Sequence, residues 1–116
     1  MLQLRPSQVA DWARQQGATP QGEQPVLLDV REPWETQLAA LPQQADVEVV
    51  LMPMRAIPAR YLELNRERPV ICMCHHGVRS MQVAHFLHQQ GFQHIANVMG
   101  GINAWAMELD PTIPVY

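Results

Sequence analysis

Four short apolar runs, 26–30, 49–52, 70–73 and 95–98, limit this chain to one kind of architecture. None of them alternates apolar with polar residues. A continuous run of this length is what a strand buried on both faces requires, and such strands belong to parallel sheets covered by helices. The segments between them supply those helices. Pro6 or Ser7 opens one through Val9, Trp12 and Ala13 that stops at Gly17. Pro33 suits the first turn of a short helix, with Glu32 and Glu35 at its positive end. The stretch 55–64 is helical in character and split by Pro58. Across 78–90, Val83, Ala84, Phe86 and Leu87 share one side of a helical wheel while Gln82, His85 and Gln89 fall opposite, and Gly91 ends the helix. Gly100-Gly101 turns into a last helix carrying Ile102, Trp105 and Leu109. With Leu2–Leu4 as a short edge strand, the expectation is an α/β fold: a central, mostly parallel sheet of four or five strands with helices on both faces. The stretches 19–25 and 39–48 read as a turn-rich linker and a loop.

A length of 116 residues, 47% apolar and 16% charged, suits one domain, 1–116, with a core of its own. The net charge of −3 and the lack of any basic tract argue against nucleic acid as a partner. All eight cationic residues are arginines. No apolar run has the length of a membrane span or of a signal-peptide core, so no membrane association is expected. Two cysteines, Cys72 and Cys74, cannot build a disulfide framework, and a reduced, cytoplasmic setting is the expectation.

The chemistry concentrates in Cys74-His75-His76-Gly77-Val78-Arg79-Ser80, between the run 70–73 and the helix that follows. In an open parallel sheet, ligands bind beyond the carboxyl ends of the strands, which is where this order puts Cys74. The first-turn N–H groups of the helix lack intrahelical partners, and the macrodipole adds about half a positive charge there. Such a site lowers a cysteine pKa from about 8.5 and favours the reactive thiolate. Arg79 adds a fixed positive charge, and Gly77 lets the backbone turn its amides inward, making a nest for an anion beside the sulfur. Cysteine chemistry on an anionic substrate is the expectation.

Each of these residues has a plainer reading. Free cysteine is often an inert core residue, which suits Cys72 inside its strand; a role as a resolving thiol is the sharper alternative for it. His75 and His76 with the two cysteines lack usual zinc-ligand spacing, so no metal is expected. The two histidines are expected at the mouth of the pocket, where a protonated imidazole would help an anion dock. His85 and His88 read as solvated residues on the polar side of their helix, and Trp34 as an aromatic facing the pocket or a partner. For Asp29 and Arg31 a structural ion pair at a strand end competes with a place in the site.

Several motifs together carry a family resemblance. Asp29-Val30-Arg31-Glu32-Pro33 with Glu35, Cys74-x-x-Gly77-x-Arg79-Ser80, Gly91-Phe92 and Asn97-Val98-x-Gly100-Gly101-Ile102-x-x-Trp105 resemble, in order and spacing, the rhodanese-like sulfurtransferases. The stretch 38–45 departs from the Gly-His-Ile segment usual there. The resemblance implies a three-layer rhodanese-like sandwich and a single-domain sulfurtransferase. Cys74 would take the outer sulfur of thiosulfate or a similar small anionic donor as a persulfide. It would then pass that sulfur to cyanide, a thiol or an acceptor protein. It further implies that His75, His76, Gly77, Val78, Arg79 and Ser80 surround the bound group, that Arg31 and Asp29 border the pocket, and that Asp29 holds Arg79. No cofactor is implied, and the expected state is a monomer or weak dimer. Four residues separate Cys74 from Arg79, a loop suited to sulfur; phosphatase relatives of the fold carry one more. A phosphatase or arsenate reductase is therefore the lesser alternative. A persulfide carrier or interaction module acting with a partner protein is the principal one.

Overall fold

The computed structural model describes residues 1–116. Five strands form one sheet: β1 (Leu2–Leu4), β2 (Val26–Asp29), β3 (Glu48–Leu51), β4 (Val70–Met73) and β5 (Ile95–Val98). Their order is β1-β5-β4-β2-β3, and every neighbouring pair is parallel. The helices are α1 (Pro6–Gln16), α2 (Pro33–Leu38), the short α3 (Ile57–Arg60), α4 (Val78–Gln89) and α5 (Gly101–Glu108). Single 3₁₀ turns, Met54–Ala56 and Tyr61–Glu63, flank α3, so Pro58 sits in a broken rather than continuous helix. No helix is long and apolar enough to cross a membrane.

The continuous apolar runs produce the expected burial: every residue of β2, β4 and β5 is inside. Side chains leave a strand alternately to the two faces. Leu27, Ile71, Met73, Ala96 and Val98 therefore meet Val9 and Ala13 of α1 and Ile102 and Trp105 of α5 on one face. Val26, Leu28, Val70, Cys72, Cys74 and Ile95 meet Ile57, Val83, Ala84 and Leu87 on the other. Each fully buried Leu, Ile or Val contributes about 1.5–3 kcal/mol relative to exposure, and the two clusters make the three-layer sandwich.

Three local expectations shift. β3 begins at Glu48 rather than Val49, one residue earlier. A charged residue can open this edge strand because Arg68 donates to the Glu48 carboxylate at 2.8 Å. Met52, expected inside the strand, lies just past it, still buried, with its N–H donated to the Asp29 carbonyl at 3.0 Å. Leu109, expected within α5, follows the end of that helix and is exposed. Cys72 in β4 and Cys74 just past it both point toward α4, which fixes where the loop before α4 starts.

Candidate active site

β4 is the middle strand of the sheet, and Cys74 is the first residue beyond its carboxyl end. The loop that follows is held by its carbonyls. The Ile102 N–H donates to the Cys74 carbonyl at 2.9 Å and the Asn103 N–H to the His75 carbonyl at 3.1 Å. Asn97 Nδ2 donates to the Gly77 carbonyl at 3.1 Å. The first-turn amides of α5, which have no partners within their own helix, thus turn the loop's oxygens outward and leave its N–H groups on the side of the thiol. Gly101 permits this approach: at φ +60°, a Cβ there would collide with the carbonyl oxygens of Cys74 and His75.

The inward amides reach the sulfur. The Gly77 N–H donates to Cys74 Sγ at 3.1 Å, and the Ser80 hydroxyl donates at 3.3 Å. Gly77 caps α4 at φ +104°, a conformation L side chains rarely adopt. Cys74 is buried, and burial alone pushes its thiol pKa up. The Ser80 hydroxyl and the N–H groups of Ser80, Gly77 and His76 outweigh that, and the thiol lies below the ordinary cysteine range. Cys72 has no such donors. Burial, then the neighbouring Cys74, push its pKa far up, so the packing role expected of it holds.

Arg79 closes the loop, and its partner is Glu35 of α2, not Asp29 as the motif implied. Its guanidinium donates to both Glu35 oxygens, at 2.5 and 2.8 Å, in the bidentate geometry that suits arginine and carboxylate. Asp29 instead pairs with Arg31, whose Nε and Nη2 donate to it at 2.9 and 2.7 Å. Both are buried, and Arg31 turns inward rather than bordering an open pocket. The structural ion pair is thus the arrangement found. β2 places Asp29 at its last position, and α2, opened at Pro33, presents Glu35 one turn in.

Tyr116 went unnoticed in the sequence. Its hydroxyl donates to Glu35 Oε2 at 2.7 Å and accepts from Arg31 Nη1 at 3.1 Å, joining the two ion pairs into one network. Its ring stacks on His75 with centroids 3.8 Å apart and planes 7° apart, and His75 stacks in turn on His76 at 3.9 Å. Burial, with His76 and Arg79 nearby, holds the His75 pKa below the ordinary histidine range. That direction disfavours a protonated imidazole at this position. His76 and Val78 are exposed, and Ser80 is buried beneath the loop. Trp34 is exposed, its ring in a T-shaped arrangement with that of Tyr116, centroids 6.4 Å apart. His85 and His88 face outward, as expected.

Residues 9–108 match the family model described as a rhodanese-like domain. Over 94 residues, 78% of this chain, the sequence is 40% identical to the Arabidopsis thaliana protein named rhodanese-like/PpiC domain-containing protein 12, chloroplastic. This chain spans only 30% of that relative's length. It is 37% identical over 81 residues to an Allochromatium vinosum protein named sulfurtransferase, covering 70% of this chain and 71% of that one. The solved structure of a rhodanese-like domain protein from Staphylococcus aureus superposes with a TM-score of 0.72 at 25% identity, over 100% of this chain and 99% of that one.

Proposed function

Since the chain belongs to the rhodanese-like domain family, we propose that it is a sulfurtransferase that carries sulfur as a persulfide on Cys74. The single observation that supports this most is the sulfur itself, which accepts from the Gly77 N–H and the Ser80 hydroxyl and is drawn toward the thiolate by them. The name of the Allochromatium relative supports the same activity class.

The chemistry follows from the donor set. The Cys74 thiolate attacks the outer sulfur of thiosulfate. The sulfur–sulfur bond of the donor breaks with its electron pair leaving on sulfite, and a new bond joins the outer sulfur to Sγ. The loop amides and the N-terminus of α4 are already oriented toward negative charge, so they stabilise the persulfide anion without rearrangement. Arg79, fixed by Glu35, brings its charge to the loop's far end and favours an anionic donor. An acceptor nucleophile, either cyanide, a small thiol or a protein thiol, then attacks the outer sulfur and Cys74 leaves as thiolate. A second reading, a carrier that delivers sulfur to one partner protein with little turnover on small donors, is favoured by the exposed Val78 and Trp34 around the loop.

Intact-mass measurement of the reduced protein after incubation with thiosulfate tests the first reading, with Cys74→Ser beside it. The expected outcome is a gain of about one sulfur atom in the wild type, absent from the variant and removed by cyanide. A folded wild type that gains no mass while its thiol stays free would reject thiosulfate as the donor and favour the carrier.

A further inference from the structure

We propose that Tyr116 is a positioning residue for the reactive loop, gripping its start through the His75 ring and its end through the Glu35 carboxylate that holds Arg79. The inference rests on the reading of Cys74 as the nucleophile for an anionic reagent. Two independent contacts support it. The Tyr116 and His75 rings are stacked 3.8 Å apart with nearly parallel planes, and His75 is the residue next to the nucleophile. At the other end, Glu35 Oε2 accepts from both Tyr116 and Arg79, at 2.7 and 2.8 Å.

The hydroxyl's other bond anchors the arrangement. Arg31 Nη1 donates to the tyrosine oxygen, so the phenolic proton is free to point at Glu35 and nowhere else. Arg31 is itself held by both oxygens of buried Asp29 at the end of β2. Position is thereby passed from the interior strand β2, through Tyr116, to a guanidinium whose side chain is one-third exposed and would otherwise sample solvent. Burial first, and then the bond to Glu35, raise the Tyr116 pKa to about 12, so the hydroxyl keeps its proton across the neutral range. Nothing in the loop's own sequence supplies this restraint.

The test compares two alkylating reagents on Cys74, iodoacetate and iodoacetamide. Both consume the same thiolate, so the ratio of their rates cancels the thiol pKa and reports how well positive charge is placed at the sulfur. A unit charge about 4 Å away changes such a ratio by a factor of about five when it is screened as in bulk water, and by more in a drier site. Arg79→Met sets the floor. Tyr116→Phe, which keeps the ring on His75 and loses the hydroxyl, is expected to bring the ratio about halfway to that floor. Tyr116→Leu is expected to reach it, and also to slow both reagents as the amides leave Sγ. Circular dichroism establishes that each variant is folded. A Phe variant with the wild-type ratio would overturn the link to Arg79, whatever the Leu variant does, and a wild type already at the floor would do the same. Because no thiosulfate is used, a failure of sulfur loading and a failure of this inference are read separately.

Discussion

Glu35 accepts from Arg79, from Tyr116 and from the Glu32 N–H at once. The Arg79 guanidinium is the largest influence and, against the opposing effect of burial, holds the carboxyl at about 2 instead of its usual 4.5. A carboxylate that resists protonation when folded contributes stability above its ordinary pKa and loses it as pH falls toward the folded value. The contribution, discounted for the partial exposure of Arg79, is on the order of 2 kcal/mol. Urea unfolding of wild type and Glu35→Gln should show a gap of that size at neutral pH that closes between about 4.5 and about 2; a gap independent of pH would remove Glu35 as its source. Cys74, Gly77, Arg79 and Ser80 were legible because they lie within seven residues of each other in one loop. The acid that holds Arg79 was not. Asp29 and Glu35 are both acids near the end of β2, and spacing alone could not decide between them. The choice is made in space, where the rigid Arg31 takes Asp29 and the helix turn brings Glu35 to Arg79.

At the level of elements, α5 does more than cover the sheet. Its first amides hold the Cys74 and His75 carbonyls, so its starting point sets the loop's orientation. Gly101→Ala should cost about 2 kcal/mol or more, because it combines a disfavoured φ with a backbone collision. Thermal unfolding measures the cost. Folded variant protein should alkylate more slowly at fixed neutral pH, since displacing the loop withdraws the N–H groups from Sγ. The elements themselves were readable wherever burial was two-sided, as in β2, β4 and β5. The edge strand β3 was read one residue late because its first residue is a glutamate whose charge is satisfied by Arg68, from a turn twenty residues away in sequence. Tyr116 was missed for the same kind of reason: a residue in an irregular tail carries no periodic signal, and its hydrogen-bond partners lie 81 and 85 residues upstream.

For the molecule as a whole, core packing and the charge placed at the loop should be separable. Leu28 sits in β2, fully buried on α4's face of the sheet, in the same core cluster as Cys74 but with no hydrogen bond of its own to the loop network. Leu28→Ala should lower unfolding free energy by about 3 kcal/mol, read by chemical denaturation, while the iodoacetate-to-iodoacetamide ratio at Cys74 stays at the wild-type value. A shifted ratio would mean that the loop feels core packing directly. The sandwich also decides how deep the sulfur lies. Cys74 is 1% exposed, because it leaves β4 on the same face as the α4 core. For a nucleophile, that depth is a filter by reach. A slim reagent, presenting a terminal sulfur or a haloacetate's methylene carbon, should reach Sγ more readily than a broad or branched electrophile. On the proposed persulfide mechanism, loading would invert the situation. A sulfur–sulfur bond of about 2.05 Å would set the outer atom beyond its buried anchor, so an acceptor would need to meet only the cargo and never the residue that holds it.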